Sequence, residues 1–311
     1  TNNNIEKRDF LIVQELPQNS YFFLSLCPSI NTSEFKFKIQ SRICVLLIRP
    51  RRYMADRLQE ITYNVPSTTT PTIEDAIHQA SATAASSIIT INLEPNNYKV
   101  RIEMGQTRNS DLGIGLLFPT QGNRTFIVHG NNSVLNSGVR ITNGKVIFHN
   151  VIFHNSSRNN SGYGIFVTKS TLDMVGCSIR QCRTIGLWCY LDAKVTASNV
   201  TIERNKEAGV SIYFASAVFD ESHIKCNGEH GLVISEGASC ALKNVKVTGH
   251  VEAGVLSMRG STVNITGGEI SHNNDGIVVI DGGQVQHTCV RLVDNKCDIY
   301  ADDDSQVVKY A

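Results

Sequence analysis

The chain has 311 residues, 41% of them hydrophobic and 18% charged, and a formal net charge of +1 at pH 7. This size and apolar content suffice for one large core plus an accessory region. The balanced charge argues against nucleic-acid binding, which relies on a basic excess. The longest apolar run, six residues at 43–48, is too short to span a membrane.

Residues 1–65 follow no repeat and predict a small β-rich accessory region. Residues 66–72 are rich in Ser, Thr and Pro and predict a linker. The accessory region is either independent or packed on the rest of the chain. Its candidate strands are residues 10–13, 21–26, 35–39 and 43–48.

A short helix is predicted directly after the linker. Thr72 is a good N-cap, and Glu74 and Asp75 fall in the first turn, where acidic side chains favour a helix. An apolar strand at residues 88–93 follows.

From Gly164 onward, the pattern Gly-apolar-x-apolar returns every 22 or 23 residues. A seventh copy, at Asp298, keeps the spacing without the glycine. A fixed period of this length indicates stacked units that cannot bury their apolar sides alone. The glycines are Gly164, Gly186, Gly209, Gly231, Gly254 and Gly276.

Each repeat contains three short segments in which apolar and polar residues alternate, and none has a helical period. The pattern predicts coils of three strands, stacked in parallel about 4.8 Å apart. In the first strands, one column of side chains would point into the core: Ile165, Leu187, Val210, Leu232, Val255, Ile277 and Ile299. The second strands would be centred on another column of inward residues: Leu172, Val195, Val218, Cys240, Val263 and Val285.

A further column follows the third strand of each coil. Asparagine can adopt left-handed backbone angles at tight turns, and stacked asparagines can form a hydrogen-bonded ladder. The glycines that follow suit a second turn with positive φ. The column is Cys182, Asn205, Asn227, His250, Asn273 and Asn295.

The glycine-phased coils, of which residues 236–279 are typical, resemble the right-handed parallel β-helix (pectin-lyase-like) superfamily. The coils are most similar to those of the F-box-only β-helix proteins and the SHC SH2-domain-binding protein family. The resemblance covers residues 73–311 and implies an all-β, right-handed parallel β-helix with an N-terminal capping helix. It also implies two functional classes: recognition by the solenoid, or activity on carbohydrates.

Nine cysteines occur without any CxxC pair, so we expect no zinc or redox site, and no metal or other cofactor. Cys177, Cys189, Cys240 and Cys289 are predicted to point inward as small hydrophobic residues. Free thiols and the lack of a visible signal peptide favour an intracellular location. Seven Asn-x-Ser/Thr sequons are attributed to the abundance of Asn, Ser and Thr.

The outward positions of the third strands contain the catalytic candidates His223, Lys246, Glu269 and Arg291. These side chains could act as acid, base and anion clamp. We favour the alternative, a ladder of cross-strand ion pairs joining Glu203 to Lys225 and Lys246 to Glu269 and Arg291. By phase, Asp220 falls on an inward column, and a local bulge that turns it outward is the preferred explanation.

The outward side of the first strands is unexpectedly apolar, which predicts that it is covered. Residues 1–65 could cover it, or another chain, or sugar rings stacked on its aromatic side chains. The candidate binding residues are Phe166, Trp188, Tyr190, Tyr213, Leu256 and Met258.

The sequence therefore predicts a non-catalytic interaction or scaffold module that binds a protein partner. The alternative is a carbohydrate-active protein, either a polysaccharide lyase or hydrolase or a glycan-binding, spike-like protein. The resemblance implies that hydrolases of this fold have close Asp pairs and a Gly-His-Gly turn near the middle coils. This chain has no such turn, and its one acidic run, residues 302–304, lies past the last coil.

Overall fold

The structure is a computed structural model and describes residues 59–67, 72–81, 87–98, 116–119, 125–156 and 162–310. These residues form one helix and 27 strands, and each strand pairing between them is parallel. The predicted architecture, stacked coils of three strands, is confirmed. The four candidate strands between residues 10 and 48 lie outside the described residues.

The first strand of each coil belongs to a 9-stranded sheet, and the second and third strands belong to an 18-stranded sheet. The first strands are β4 (Leu116–Pro119), β6 (Val139–Thr142), β8 (Ile165–Thr168), β11 (Leu187–Tyr190), β14 (Val210–Tyr213), β17 (Leu232–Ser235), β20 (Ala253–Ser257), β23 (Asp275–Val279) and β26 (Cys297–Ala301). The second strands are β9 (Thr171–Val175), β12 (Lys194–Ser198), β15 (Ser216–Asp220), β18 (Ser239–Lys243), β21 (Thr262–Thr266), β24 (Gln284–Thr288) and β27 (Gln306–Tyr310). The third strands are β10 (Ser178–Arg180), β13 (Thr201–Glu203), β16 (His223–Lys225), β19 (Lys246–Thr248), β22 (Glu269–Ser271) and β25 (Arg291–Val293). The early coils contribute β1 (Gln59–Val65), β2 (Ser87–Leu93), β3 (Asn97–Tyr98), β5 (Thr125–Leu135) and β7 (Lys145–His154).

The predicted capped helix is α1 (Ile73–Ser81). The Thr72 hydroxyl oxygen accepts a hydrogen bond from the Asp75 backbone N–H at 3.1 Å, and the Asp75 carboxylate accepts one from the Thr72 N–H at 3.2 Å. This reciprocal cap satisfies N–H groups that have no partner within a helix. The buried face of the helix, which includes Ile73 and Ala76, joins the main core.

Strand β1 pairs in parallel with β2 along its whole length, from Gln59 with Ser87 to Val65 with Leu93. These seven residues fall within the segment predicted to be an accessory region. The solenoid sheet therefore begins before the predicted linker at residues 66–72.

The inward column of the first strands has the predicted register, and its members from Ile165 to Ile277 are fully buried. The prediction is wrong for Ile299, which is 36% exposed. Ile299 lies in β26, which pairs with β23 on one side and with no described strand on the other. No described coil stacks on that second side of β26, so Ile299 is left partly uncovered.

The second strands match the prediction except in β15, where the register differs by one residue. Ala217, not Val218, pairs with Val195, and Phe219, not Asp220, occupies the inward position beside Ala197. Two residues join β14 to β15, whereas three join β11 to β12, so the count shifts by one. Asp220 faces outward for this reason, without the predicted bulge.

The column after the third strands is a hydrogen-bonded ladder, as predicted, and it is buried from Cys182 to Asn273. The Asn227 Oδ1 accepts hydrogen bonds from the backbone N–H and the side-chain Nδ2 of Asn205, each at 3.0 Å. The Asn227 N–H donates to His250 Nδ1 at 3.2 Å, and the His250 N–H donates to Asn273 Oδ1 at 3.0 Å. Asn295 accepts from Asn273 in the same way. Each ladder side chain thus satisfies the turn of the coil before it.

Two backbone predictions about these turns are wrong. The left-handed angles fall on the residue before each ladder position, as at Arg204 (φ 54°) and Cys226 (φ 53°), and not on the asparagines. The phased glycines are required by space, not by positive φ. A Cβ on Gly186 would lie 2.6 Å from Asn205 Nδ2 and 2.6 Å from the Gly209 carbonyl oxygen.

We expect Asn227→Ala to lower the free energy of unfolding by about 2 kcal/mol, because it leaves the buried Asn205 N–H without an acceptor. Urea denaturation followed by circular dichroism measures the change. Asn264→Ala, at an exposed position of β21, is the control and should change stability by less than about 0.5 kcal/mol. Equal effects of the two substitutions would contradict a stabilising role for the ladder.

Cys177, Cys189 and Cys240 are buried and free, as predicted, and burial raises the pKa of the Cys177 thiol to about 11. The prediction is wrong for Cys289, which is exposed in a turn with φ of 54°. The described part of the chain contains no cluster of three or more His, Cys, Asp or Glu side chains suited to a metal ion. Among the same residues, no helix is long and apolar enough to cross a bilayer.

Candidate functional site

The structure brings the four catalytic candidates into one column on the outside of the 18-stranded sheet. His223 pairs with Lys246, Lys246 with Glu269, and Glu269 with Arg291 on successive strands. Their backbones are therefore about 4.8 Å apart. The four residues thus form the column that the sequence predicts. Whether the column could be catalytic depends on the contacts of its side chains.

Two ion pairs lie on this outer face, one within the column and one in the column beside it. Arg291 Nη1 lies 3.4 Å from Glu269 Oε2, and Lys225 Nζ lies 3.5 Å from Glu203 Oε2. The Ser271 hydroxyl also donates to Glu269 Oε1 at 3.0 Å. The predicted pairing of Lys246 with Glu269 is absent, because no carboxylate oxygen of the described residues lies within 4.0 Å of Lys246 Nζ. The Glu269 carboxylate is thus bound on both sides by its own neighbours.

His223 differs from the rest of the column. Its Nε2 is buried and has no hydrogen-bond partner in the described structure. Burial lowers the pKa of His223, and the neighbouring Lys225 and Lys246 lower it further, against the opposite effects of Glu203 and Glu269. The ring is therefore neutral at pH 7.

A second candidate site is a ladder of aromatic rings along the outside of the 9-stranded sheet. Ring centroids lie 5.0 Å apart for Phe166 and Trp188, 6.4 Å for Trp188 and Tyr190, and 6.3 Å for Tyr190 and Phe214. We call these four residues the aromatic ladder. Phe166 is buried, whereas Tyr190 is 37% and Phe214 50% exposed. The rings therefore become more exposed from Phe166 to Phe214, and we call the exposed end, Tyr190 and Phe214, the open edge.

Polar groups lie beside the aromatic ladder. The Trp188 Nε1–H is buried without a hydrogen-bond partner in the described structure. Glu236 and Arg259 form an ion pair on the turns after β17 and β20. Burial raises the pKa of Tyr213, and the charges of Arg259 and Glu236 act on the same hydroxyl with opposite signs. Charged donors and acceptors thus lie near Tyr213, which is the strand partner of Tyr190.

The aliphatic continuation of this face is largely buried. Val233 and Leu256 form a second hydrophobic cluster with Ala208 and Ala253, against which Met258 packs. Of the six candidate binding residues, Phe166 and Leu256 are buried, and Trp188, Tyr213 and Met258 are partly buried. Only Tyr190 of the six is exposed. Cover of this face by residues 1–65 or by another chain stays a prediction.

Comparison with known proteins gives the family. Residues 115–270, just over half of the chain, match the family described as "Right handed beta helix region". The chain belongs to the right-handed β-helix family. The predicted fold class and superfamily are thereby confirmed, whereas no comparison concerns the F-box-only or SHC-binding relatives. No curated protein matches this β-helix.

Among solved structures, this β-helix is similar to the pectate lyase Pel9A, with 11% sequence identity and a TM-score of 0.51 over 80% of this chain and 78% of that one. A mutant of the periplasmic alginate epimerase AlgG matches with 10% identity and a TM-score of 0.43, over 72% of this chain and 61% of that one. The A-module of the Azotobacter vinelandii mannuronan C-5 epimerase AlgE4 matches with 13% identity and a TM-score of 0.36, over 79% of this chain and 100% of the module. At these identities, the likeness shows the fold alone.

Sequence reasoning did not include Phe214 among the site residues. Phe214 follows β14 in a left-handed turn, with φ of 50°, which places its ring beside Tyr190 of the previous coil. The sequence feature that could have indicated this position is the adjacent pair Tyr213-Phe214 at the end of a strand. Two bulky residues in sequence at such a position cannot both point inward.

Proposed function

We propose that this β-helix is a glycan-binding protein whose recognition surface is the open edge of the aromatic ladder. The main support is that Tyr190 and Phe214 are exposed. Their rings contact each other edge to face at the end of a line of packed rings. Rigid rings lose little conformational entropy when a ligand packs on them. The packing against Trp188 holds them in place before any ligand arrives.

The chemistry of the edge suits a sugar. A pyranose ring has one face of C–H groups, which packs on an aromatic ring, and a rim of hydroxyls, which requires hydrogen-bond partners. The Glu236–Arg259 ion pair offers acceptors and donors for such hydroxyls near Tyr213. Binding sites generally combine an apolar lining with a few polar groups of this kind.

The proposal is tested with a glycan array followed by calorimetry on the best ligand. We expect Tyr190→Ala and Phe214→Ala each to weaken binding about tenfold, the usual effect of removing an aromatic contact at the centre of a site. The control is Tyr310→Ala, because Tyr310 is also 50% exposed but lies in β27. An array without ligands, or a ligand whose affinity is unchanged by both ladder variants, would refute the proposal.

A protein-binding module is the second candidate, and the partly buried aliphatic side chains Met258, Val278 and Ile280 favour it. They extend the face beyond the aromatic ladder with groups that form no hydrogen bonds with sugars. A partner bound there would be lost on Met258→Asp and retained on Phe214→Ala. A glycan bound at the open edge would give the opposite result.

For the third-strand column, we expect no turnover of a uronate polymer, because Arg291 and Ser271 already engage the Glu269 carboxylate. Formation of unsaturated or reducing ends, measured with polygalacturonate and with alginate, checks this expectation. Turnover by the unmodified protein that disappears in Glu269→Gln would show instead that the column is an active site.

A further inference from the structure

Lys246 is an uncompensated cation between two ion pairs on the outer face of the third strands. On one side, Lys225 meets Glu203 at 3.5 Å, and on the other, Arg291 meets Glu269 at 3.4 Å. Lys246 lies between these pairs, is exposed, and has no carboxylate among the described residues within 4.0 Å. The surface between these two ion pairs therefore has an excess of positive charge.

The adjacent strand places an unused nitrogen at the same point. His223 is the direct strand partner of Lys246, and Lys225 lies two residues further along β16 on the same face. His223 Nε2 is buried and has no hydrogen-bond partner in the described structure. A buried nitrogen without a partner costs free energy unless something binds it.

We propose that His223, Lys225 and Lys246 form a binding site for a tetrahedral oxyanion, the sulfate or phosphate group of a larger ligand. Two ammonium groups would face the anion. His223 Nε2 is buried in this structure, so the ring would have to turn before its Nε2–H tautomer could donate a hydrogen bond to the anion. Lys225 would have to exchange Glu203 for the anion. That exchange costs little, because a partly exposed ion pair contributes little to stability.

The proposed site has a pH signature. His223 faces Lys225, Lys246, Glu203 and Glu269, and it lies near the buried His250 of the ladder. A bound dianion opposes the effect of the two lysines and favours the protonated ring. The pKa of His223 should therefore rise when the anion binds, and affinity should increase as the pH falls.

The experiment is an NMR titration of the histidine side chains with sodium sulfate and, separately, with sodium phosphate, each against sodium chloride of equal ionic strength. We expect saturable shifts of His223, a higher pKa of His223 in sulfate than in chloride, and about tenfold weaker binding in Lys246→Gln. Lys194→Gln, at an exposed position of β12, is the matched control and should bind as the unmodified protein does.

A response to both ions supports the shared site, and a response to only one identifies the group that the site prefers. The proposal is overturned if neither ion moves His223 beyond the chloride series, or if Lys246→Gln binds as tightly as Lys194→Gln. Because the site lies on the other sheet from the aromatic ladder, Tyr190→Ala should leave the titration unchanged. The two proposals can therefore fail separately.

Discussion

Replacing Leu232 by Asp should abolish folding of the central coils. Leu232 is fully buried and pairs with Val210 on one side and Val255 on the other, in the middle of the inward column. A carboxylate there has neither water nor a charged partner among the surrounding apolar side chains, so we expect a loss of more than about 4 kcal/mol. In a solenoid, each coil contacts only its neighbours. Unfolding of the substituted coil would therefore remove the packing between the coils before it and those after it.

The measurements are soluble yield, far-ultraviolet circular dichroism and thermal unfolding. Val251→Asp is the control, because Val251 is an apolar residue of a turn that is 67% exposed. Leu232→Ala provides a graded variant that should remain soluble and lose about 2–5 kcal/mol. A Leu232→Asp protein as stable as Val251→Asp would mean that the inward register of the first strands is incorrect.

The second large effect is a loss of stability in acid that depends on His250. Burial lowers the pKa of His250 from its ordinary value of 6.5 to about 4 in the folded protein. Its Nδ1 accepts from the Asn227 N–H, and its Nε2–H donates to the Ile224 carbonyl oxygen at 3.1 Å, so the neutral ring fits the ladder. A proton on Nδ1 would remove that acceptor.

The direction follows from linkage. Between pH 6.5 and 4, the unfolded chain binds a proton at His250 and the folded chain does not, so acid favours unfolding. Stability from this group is fully present above pH 6.5 and falls as the pH decreases toward 4, by about 3 kcal/mol in all. Urea denaturation at a series of pH values measures it.

Asn is the natural replacement at position 250, since Asn205, Asn227 and Asn273 occupy the same ladder. We expect His250→Asn to fold and to lose much of the pH dependence between 6.5 and 4. His272→Asn is the control, because His272 is exposed in an ion pair with Asp294, and it should retain the dependence. Identical pH profiles for the two variants would contradict the assignment to His250.

The fold could be predicted because the repeat is local and strict. One glycine and two apolar residues per coil determine which side chains point inward, and Leu232 or Val255 follow from that period alone. The register of β15 could not be predicted, because the number of residues in a turn is free to vary while strand spacing is not. A difference of one residue moved Asp220 from the predicted interior to the surface.

The candidate sites could be predicted only in part. The third-strand column followed from the register, but which of its charges are paired depends on side-chain rotamers that the period does not fix. Lys246 therefore lacks the predicted partner, whereas Arg291 has it. The edge of the aromatic ladder required the turn geometry of Phe214, a left-handed residue for which no glycine or asparagine gave a signal.

The buried ladder has a consequence for how this chain is made. In each rung, the backbone N–H of one coil donates to the side chain of the following coil, from Cys182 to Asn205 and onward to Asn295. During translation, the donor of each rung is synthesised about 22 residues before its acceptor. Each newly synthesised coil therefore keeps an unsatisfied turn until the next one emerges, and the solenoid completes itself in the direction of translation.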